Sequence, residues 1–364
     1  MIKRTFIDLF SGCGGFSLGA HLAGFHNALS VDIDPILTSS YRLNFPTSNL
    51  QIADLKQVED IRVMMKNPPA KPDLLIGGPP CQGFSHMGKR DAEDPRNELI
   101  WHFFRHVRKA TPNVFIMENV DGLATSEYGR KIVEEAILQL PSYYKTSGII
   151  NVNAADFGAA TARPRVLIVG FDSRYVDDPR LEEKIKPVKK RTTVWDAISD
   201  LPGPVNTAEV NEFVWTKYTY RGDISKYAKA LRVAPLKNLG WSQAVDRFNA
   251  GQITGLNATT HTSDVKDRFK LTKQGEVEPI SRYFKLSWDL PSRTIRAGTG
   301  RDKGGFQAAR PIHPSQSRVI TIREAARIQG FPDWFVFHPT KWHSFRMIGN
   351  SVSPVMAKRI IKSL

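Results

Sequence analysis

The feature that most constrains this chain is an alternation running through its first 170 residues. Short apolar runs are separated by stretches with helical spacing. The runs are "TFIDLF" (5–10), "ALSVDID" (28–34), "DLLIGG" (73–78), "NVFIMENV" (113–120) and "RPRVLIVGF" (163–171). Before the fourth lies "NELIWHFFRHVRKA" (97–110), where Leu99, Ile100, Phe103, Phe104 and Val107 recur at helical intervals. Strands alternating with helices predict an α/β fold, a doubly wound and mostly parallel sheet covered on both faces. Ligands of such sheets bind where the strands end. Polar groups at strand ends are therefore the candidate site residues.

The first run ends in "DLFSGCGGFSLG" (8–19), a glycine-rich turn opening a helix. Glycines let backbone approach a ligand closely, and a helix start favours polar or anionic groups. Asp32 and Asp34 end the second run about 20 residues later, where an acid can hold ribose hydroxyls. Asp54 ends the next extended segment and suits an amino group. The third run leads into "GGPPCQGFS" (77–85). Its Cys81 follows two prolines in a turn with little core to join, which marks it as a nucleophile candidate. Cys13, among small neighbours, reads as a structural cysteine. Glu118 ends an apolar strand, where a carboxylate is costly unless exposed or paired, so it is expected to face a cleft. Arg163 and Arg165 are two apart at a strand entry, so both point to one side and suit a phosphate or a polarised carbonyl.

A chain of 364 residues exceeds one ordinary core, so a second lobe is expected. Periodicity weakens after about residue 172. Residues 173–290 read as a smaller irregular lobe with scattered Trp, Tyr, Lys and Arg. The end becomes helical again in "TIREAARIQGF" (321–331) and "SPVMAKRIIKSL" (353–364). The formal net charge is +15, and residues 291–364 hold 13 Lys and Arg against 3 Asp and Glu. Charge concentrated in the last fifth of the chain implies a nucleic-acid partner more than diffuse solubility charge. Two cysteines make neither a disulfide framework nor a cysteine zinc site, no metal is expected, and no apolar run is long enough for a bilayer. A cytoplasmic, nucleoid-associated protein is the expectation.

In order, "DLFSGCGGFSLG", "VDIDP", "GGPPCQGFS", "MENV", "ARPR" and "RMIGNSVSP" resemble the motifs of DNA (cytosine-5) methyltransferases, most closely the bacterial restriction-modification type. The resemblance covers residues 5–171 and 291–361. It implies a class I, Rossmann-like methyltransferase domain using S-adenosylmethionine and releasing S-adenosylhomocysteine. By motif position, Phe10, Ser11, Gly12, Cys13, Gly14 and Pro79 would line the donor. Asp32 would hold its ribose, Ile33, Asp54, Leu55 and Leu99 would lie near its adenine, and Asn350 with Ser351 would close the site. Cys81 would attack carbon 6 of a flipped-out cytosine, Glu118 would contact N3 and the exocyclic amine, Arg165 would hold O2, and Arg163 would position the Cys81 loop and the target nucleotide. Gln82 and Ser85 match family positions that touch DNA. Met87 is read as an apolar wedge, and Arg293, Arg296 and Arg301 as backbone contacts.

The resemblance further implies a catalytic domain at 1–172, a target-recognition domain at 173–290, and a hinge and C-terminal segment at 291–364 that returns to the catalytic domain. Its partners would be double-stranded DNA and a separately encoded restriction endonuclease, with the enzyme a monomer. Thr161 stands where the family motif has Gln, and no role is assigned to it. A tRNA cytosine-5 methyltransferase and a non-catalytic DNA-binding relative are the alternatives. "PPCQGFS" and a recognition lobe of more than a hundred residues favour DNA.

Overall fold

The computed structural model describes residues 3–65, 67–80, 98–178, 180–206, 212–219, 223–297 and 310–364. Cys81, Gln82, Ser85, Met87 and Arg301 lie outside them. The strands are β1 (Thr5–Leu9), β2 (His26–Asp32), β3 (Leu50–Ile52), β4 (Leu74–Gly77), β5 (Val114–Val120), β6 (Tyr144–Asn153), β7 (Thr161–Ala162), β8 (Pro164–Asp172), β9 (Trp215–Lys217), β10 (Gln252–Thr254) and β11 (Ser292–Arg293).

A seven-stranded sheet runs in the order β3-β2-β1-β4-β5-β8-β6. The pairs from β3 to β5 are parallel, while β8 is antiparallel to both β5 and β6. Strand order reverses between β1 and β4, so the ends of these two strands flank the crevice where such sheets bind ligands.

Alternation along the central strands builds two cores. Ile7, Leu9, Leu75, Phe115 and Met117 face one side, under the helices Glu98–Ala110 and Glu127–Ile137. Phe6, Leu74, Ile76, Val114 and Ile116 face the other, under Gly15–Leu22 and Pro354–Ile361. The chain's last helix thus completes a layer begun by its first. A Cβ placed on Gly19 would sit 2.3 Å from the Ala357 Cβ, so only glycine permits this approach.

In the predicted helix, Ile100, Phe103, Phe104 and Val107 are buried, but Leu99 is only half-buried. Strand β6 escapes the apolar-run criterion. Its sequence "YKTSGIINVN" contains Gly148 at φ +70°, and its register shifts between Thr146 and Ile149. An irregular edge strand carries weak alternation.

A third core joins the first helix to the rest of the chain. Cys13, Leu18, Tyr41 and Phe45 pack with Val194, Ala197, Leu239, Leu286, Ile295, Ile322, Phe331 and Phe335. A buried ion cluster runs through the same region. Arg327 pairs with Asp333 (2.6 Å) and Asp200 (3.1 Å), and Tyr218 donates to Asp200 (2.6 Å). Charges buried this deeply persist only when paired. The cluster ties the helix Ile322–Gln329 to Asp200 and Tyr218.

Candidate active site

The turn after β1 is conformationally unusual. Phe10 and Gly12 have φ of +61° and +51°, and Gly14 caps the following helix at +91°. The turn is latched to β2: the Gly12 amide donates to the Asp32 carboxylate (2.8 Å), and the Ser11 amide to the Val31 carbonyl (3.1 Å). Asp32 also accepts from the Asp34 amide (2.8 Å). Burial pushes the Asp32 pKa upward, against these two hydrogen bonds. A Cβ on Gly12 would meet nothing within 4 Å, so space is open beside the turn. Next to it Ile33 is 62% exposed, an apolar surface at the strand ends. Open backbone, an adjoining carboxylate and exposed apolar surface fit a nucleoside-bearing ligand such as S-adenosylmethionine.

Other residues expected at this site are placed less uniformly. The Cys13 side chain lies in the core, its thiol donating to the Met347 carbonyl (3.5 Å), and burial pushes its pKa up to about 12. Its backbone is the part that remains on the turn. The Leu55 side chain is likewise buried, while its carbonyl accepts from Arg105 (2.7 Å) and meets His106 Nε2 (3.0 Å). The Asp54 carboxylate accepts from the Lys56 amide (2.9 Å). Ser351 is buried against the turn: a Cβ on Gly15 would fall 1.9 Å from its Oγ. Asn350 is exposed.

Sequence reasoning missed the link that holds this corner. Arg346 pairs with Asp34 (2.8 Å), joining the helix Lys341–Asn350 to the acidic turn. Asp34 also accepts from the Ile36 and Leu37 amides. An ion pair across more than 300 residues leaves no local signal.

The second half of the site lies where β4 and β5 end and the antiparallel β8 begins. Glu118 and Arg165 are both almost fully buried and are paired at 2.8 Å. The antiparallel register of β5 and β8 brings Val120 opposite Arg165, which places the two side chains side by side. A Cβ on Gly78 would lie 3.2 Å from Glu118, so the β4 end closes on the carboxylate. Asn119 donates to the buried Pro79 carbonyl (3.1 Å) and accepts from the Val120 amide (2.8 Å). It fixes the chain two residues before Cys81. "MENV" flagged this asparagine without indicating what it does.

Arg163 reaches elsewhere. It donates to the carbonyls of Gly349 (2.8 Å) and Ile295 (3.4 Å). Burial, then the neighbouring Arg165 charge, push its pKa well below the usual arginine range. It ties the sheet to the C-terminal segment. Thr161 takes part in the same junction, donating to the Arg293 carbonyl (3.3 Å) where β7 pairs with β11. Arg293 and Arg296 are exposed, and the Arg293 guanidinium stacks on Phe284 (3.9 Å). Among the described residues no cluster suits a metal ion, and no helix is long and apolar enough to cross a membrane.

A family model described as C-5 cytosine-specific DNA methylase matches residues 4–364. The type II methyltransferase M.XorII of Xanthomonas oryzae is 40% identical, over 99% of this chain and 84% of its own. M1.HphI of Haemophilus parahaemolyticus is 32% identical over the whole chain and 87% of its own. Among solved structures, a putative DNA modification methyltransferase encoded within an E. coli prophage superposes with a TM-score of 0.87 at 36% identity, covering 99% of this chain and 98% of that one. The S. pombe Dnmt2 methyltransferase shares the fold, with a TM-score of 0.57 at 16% identity, over 98% of this chain and 96% of that one.

Proposed function

Because the chain belongs to the C-5 cytosine-specific DNA methylase family, we propose that it methylates carbon 5 of a cytosine within a specific duplex sequence, as the modifying partner of a restriction endonuclease. The observation that carries this reading is the buried Glu118–Arg165 pair at the strand ends, beside the chain leading to Cys81. Such a pair offers a carboxylate and a guanidinium at fixed spacing to one flat heterocycle.

In this reading the Cys81 thiolate bonds to C6 of the cytosine and moves the ring electrons toward C5, which takes up the methyl group. Loss of the C5 proton then breaks the C–S bond and returns the thiolate. Glu118 holds N3 and the exocyclic amine, and Arg165 holds O2. Arg163 positions the junction between sheet and hinge. S-adenosylmethionine, when bound, supplies the electrophilic methyl group and leaves as S-adenosylhomocysteine. The turn Phe10–Gly14, Asp32, Ile33, Asp54 and Leu99 would hold it, with Pro79, Asn350 and Ser351 at the border. The pocket cannot reach a stacked base, so the cytosine is flipped out. The residues that read the sequence lie within the lobe 173–290. Gln82, Ser85, Met87, Arg293, Arg296 and Arg301 touch the duplex, and the enzyme works as a monomer.

Methylation-sensitive sequencing of DNA from cells expressing the chain tests this. One short motif carrying 5-methylcytosine is expected, and Cys81→Ala should abolish it while leaving cofactor binding intact. Full activity of that variant would refute the mechanism. Transfer to tRNA but not to duplex DNA would refute the substrate.

A further inference from the structure

A basic strap lies beside the site and has no part in the chemistry above. Residues 184–191, "KIKPVKKR", contain Lys184, Lys186, Lys189, Lys190 and Arg191 and no acid, and all five cations are exposed. The strap is pinned rather than loose. The Val188 amide donates to the Asp156 carbonyl (2.8 Å), Arg191 pairs with the Asp156 carboxylate (2.7 Å), and Thr192 donates to the Gly158 carbonyl (2.8 Å). Its anchor, the turn Ala154–Phe157, follows β6 directly, and the chain then enters the Thr161–Arg165 segment. Val152 lies opposite Arg165 in the sheet. Asp156 is four steps along the chain from Val152, which puts the anchor within about 20 Å of the Arg165 backbone.

A second basic face adjoins it. A Cβ on Gly158 would contact both Val188 and Val355. Val355 opens one face of the last helix, which continues at helical spacing through Lys358, Arg359 and Lys362. No acid follows Asp333 in the chain. The carboxylates near the strap are largely engaged: Asp156 by Arg191, and Glu183 by Arg180 at 3.9 Å. Asp177 and Asp178 precede the strap and are exposed. Among the described residues, Lys184, Lys186, Lys189 and Lys190 have no carboxylate partner.

A pinned backbone lowers the entropy lost when a row of cations meets a row of phosphates. We infer that residues 184–191, with the basic face of the last helix, bind the phosphate backbone of duplex DNA flanking the methylation site, several base pairs from the flipped cytosine. The inference rests on the DNA methyltransferase reading. A duplex rises about 3.4 Å per base pair, so the strap meets the backbone within about six base pairs of the target.

The test uses the full chain and duplexes carrying the motif found by sequencing. One set has arms of about two base pairs and the other of about twenty. Affinity is measured by fluorescence anisotropy across a salt series. Each phosphate engaged by a cation adds about 0.9 to the slope of log affinity against log salt. Lys184→Gln/Lys186→Gln/Lys189→Gln/Lys190→Gln should lower the long-duplex slope by about 2–4 and leave the short-duplex slope unchanged. Methylation of the short duplex should stay at wild-type level. Arg359→Gln/Lys362→Gln should add a smaller loss on the long duplex only.

Equal slopes for variant and wild type on the long duplex, or the same loss on both lengths, would overturn the inference. A strap-dependent term stronger on duplex RNA would reassign the ligand and overturn it too. These outcomes differ from failure of the enzymatic reading, in which the wild type itself modifies neither duplex.

Discussion

Asp8 makes the stability of this enzyme depend on pH in a direction opposite to that of most carboxylates. It lies on β1, 1% exposed. It accepts a hydrogen bond from Ser17 (2.5 Å), and Tyr41 meets Ser17 (2.9 Å) and Ser30 (2.6 Å). Burial raises its pKa from 3.8 to about 7; the Ser17 bond opposes this and the Asp32 charge adds to it. Between these two values the folded state keeps a proton that the unfolded chain has lost. Stability therefore falls as pH rises, by about 1.4 kcal/mol per unit, and levels off above pH 7. Three units amount to about 4 kcal/mol.

Asp8→Asn preserves the shape and never ionises, so it lacks this loss. His21, His106 and His313 act the other way. Burial lowers each to about 4, so each loses stability as pH falls below about 6.5. They are common to both proteins and cancel in the comparison. Urea unfolding of wild type and Asp8→Asn from about pH 4 to 8 should show a difference that grows by about 4 kcal/mol in favour of the variant. A difference that stays constant over that range would refute the argument, because a purely steric effect does not titrate.

Removing one partner of the Glu118–Arg165 pair leaves a buried charge uncompensated. Arg165→Leu should cost about 3–5 kcal/mol, and Glu118→Gln added to it should recover part of that, read as thermal midpoints. If the double variant is as unstable as the sum of the singles, the pair is not the cause. Gly15→Ala would drive a methyl into Ser351 Oγ and the Val352 carbonyl (2.3 Å). It should cost about 1–3 kcal/mol and weaken cofactor binding, with partial rescue by Ser351→Gly in calorimetric titration. The Arg346–Asp34 pair is partly exposed. Arg346→Met should therefore weaken cofactor affinity by no more than about fivefold, with kcat at saturation unchanged and Arg346→Lys restoring most of it.

What the residue pattern could and could not reveal follows the range of the forces involved. Alternating burial is local, so β1, β4, β5, β8 and the helix Glu98–Ala110 were legible within a few residues of their ends. Strand β6 was not, because Ser147-Gly148 breaks its alternation at the sheet edge. The helix Lys341–Asn350 was not, because Trp, His and Gly interrupt a plain amphipathic pattern. Strand-end residues were visible as chemistry but not as orientation. The Leu55 side chain turns into the core, since a turn decides which way each residue points, whereas Cys13 is buried as its small neighbours suggested.

The sequence by itself determined the central strands, the strand-end acids and the family, because those rest on short-range periodicity and contiguous motifs. Tertiary structure alone decided the partners. Asp34 meets Arg346, Arg163 meets Gly349 and Ile295, and Glu118 meets Arg165. A polar group takes whichever complementary group the packed chain brings within hydrogen-bonding distance, and separation along the chain does not enter that choice.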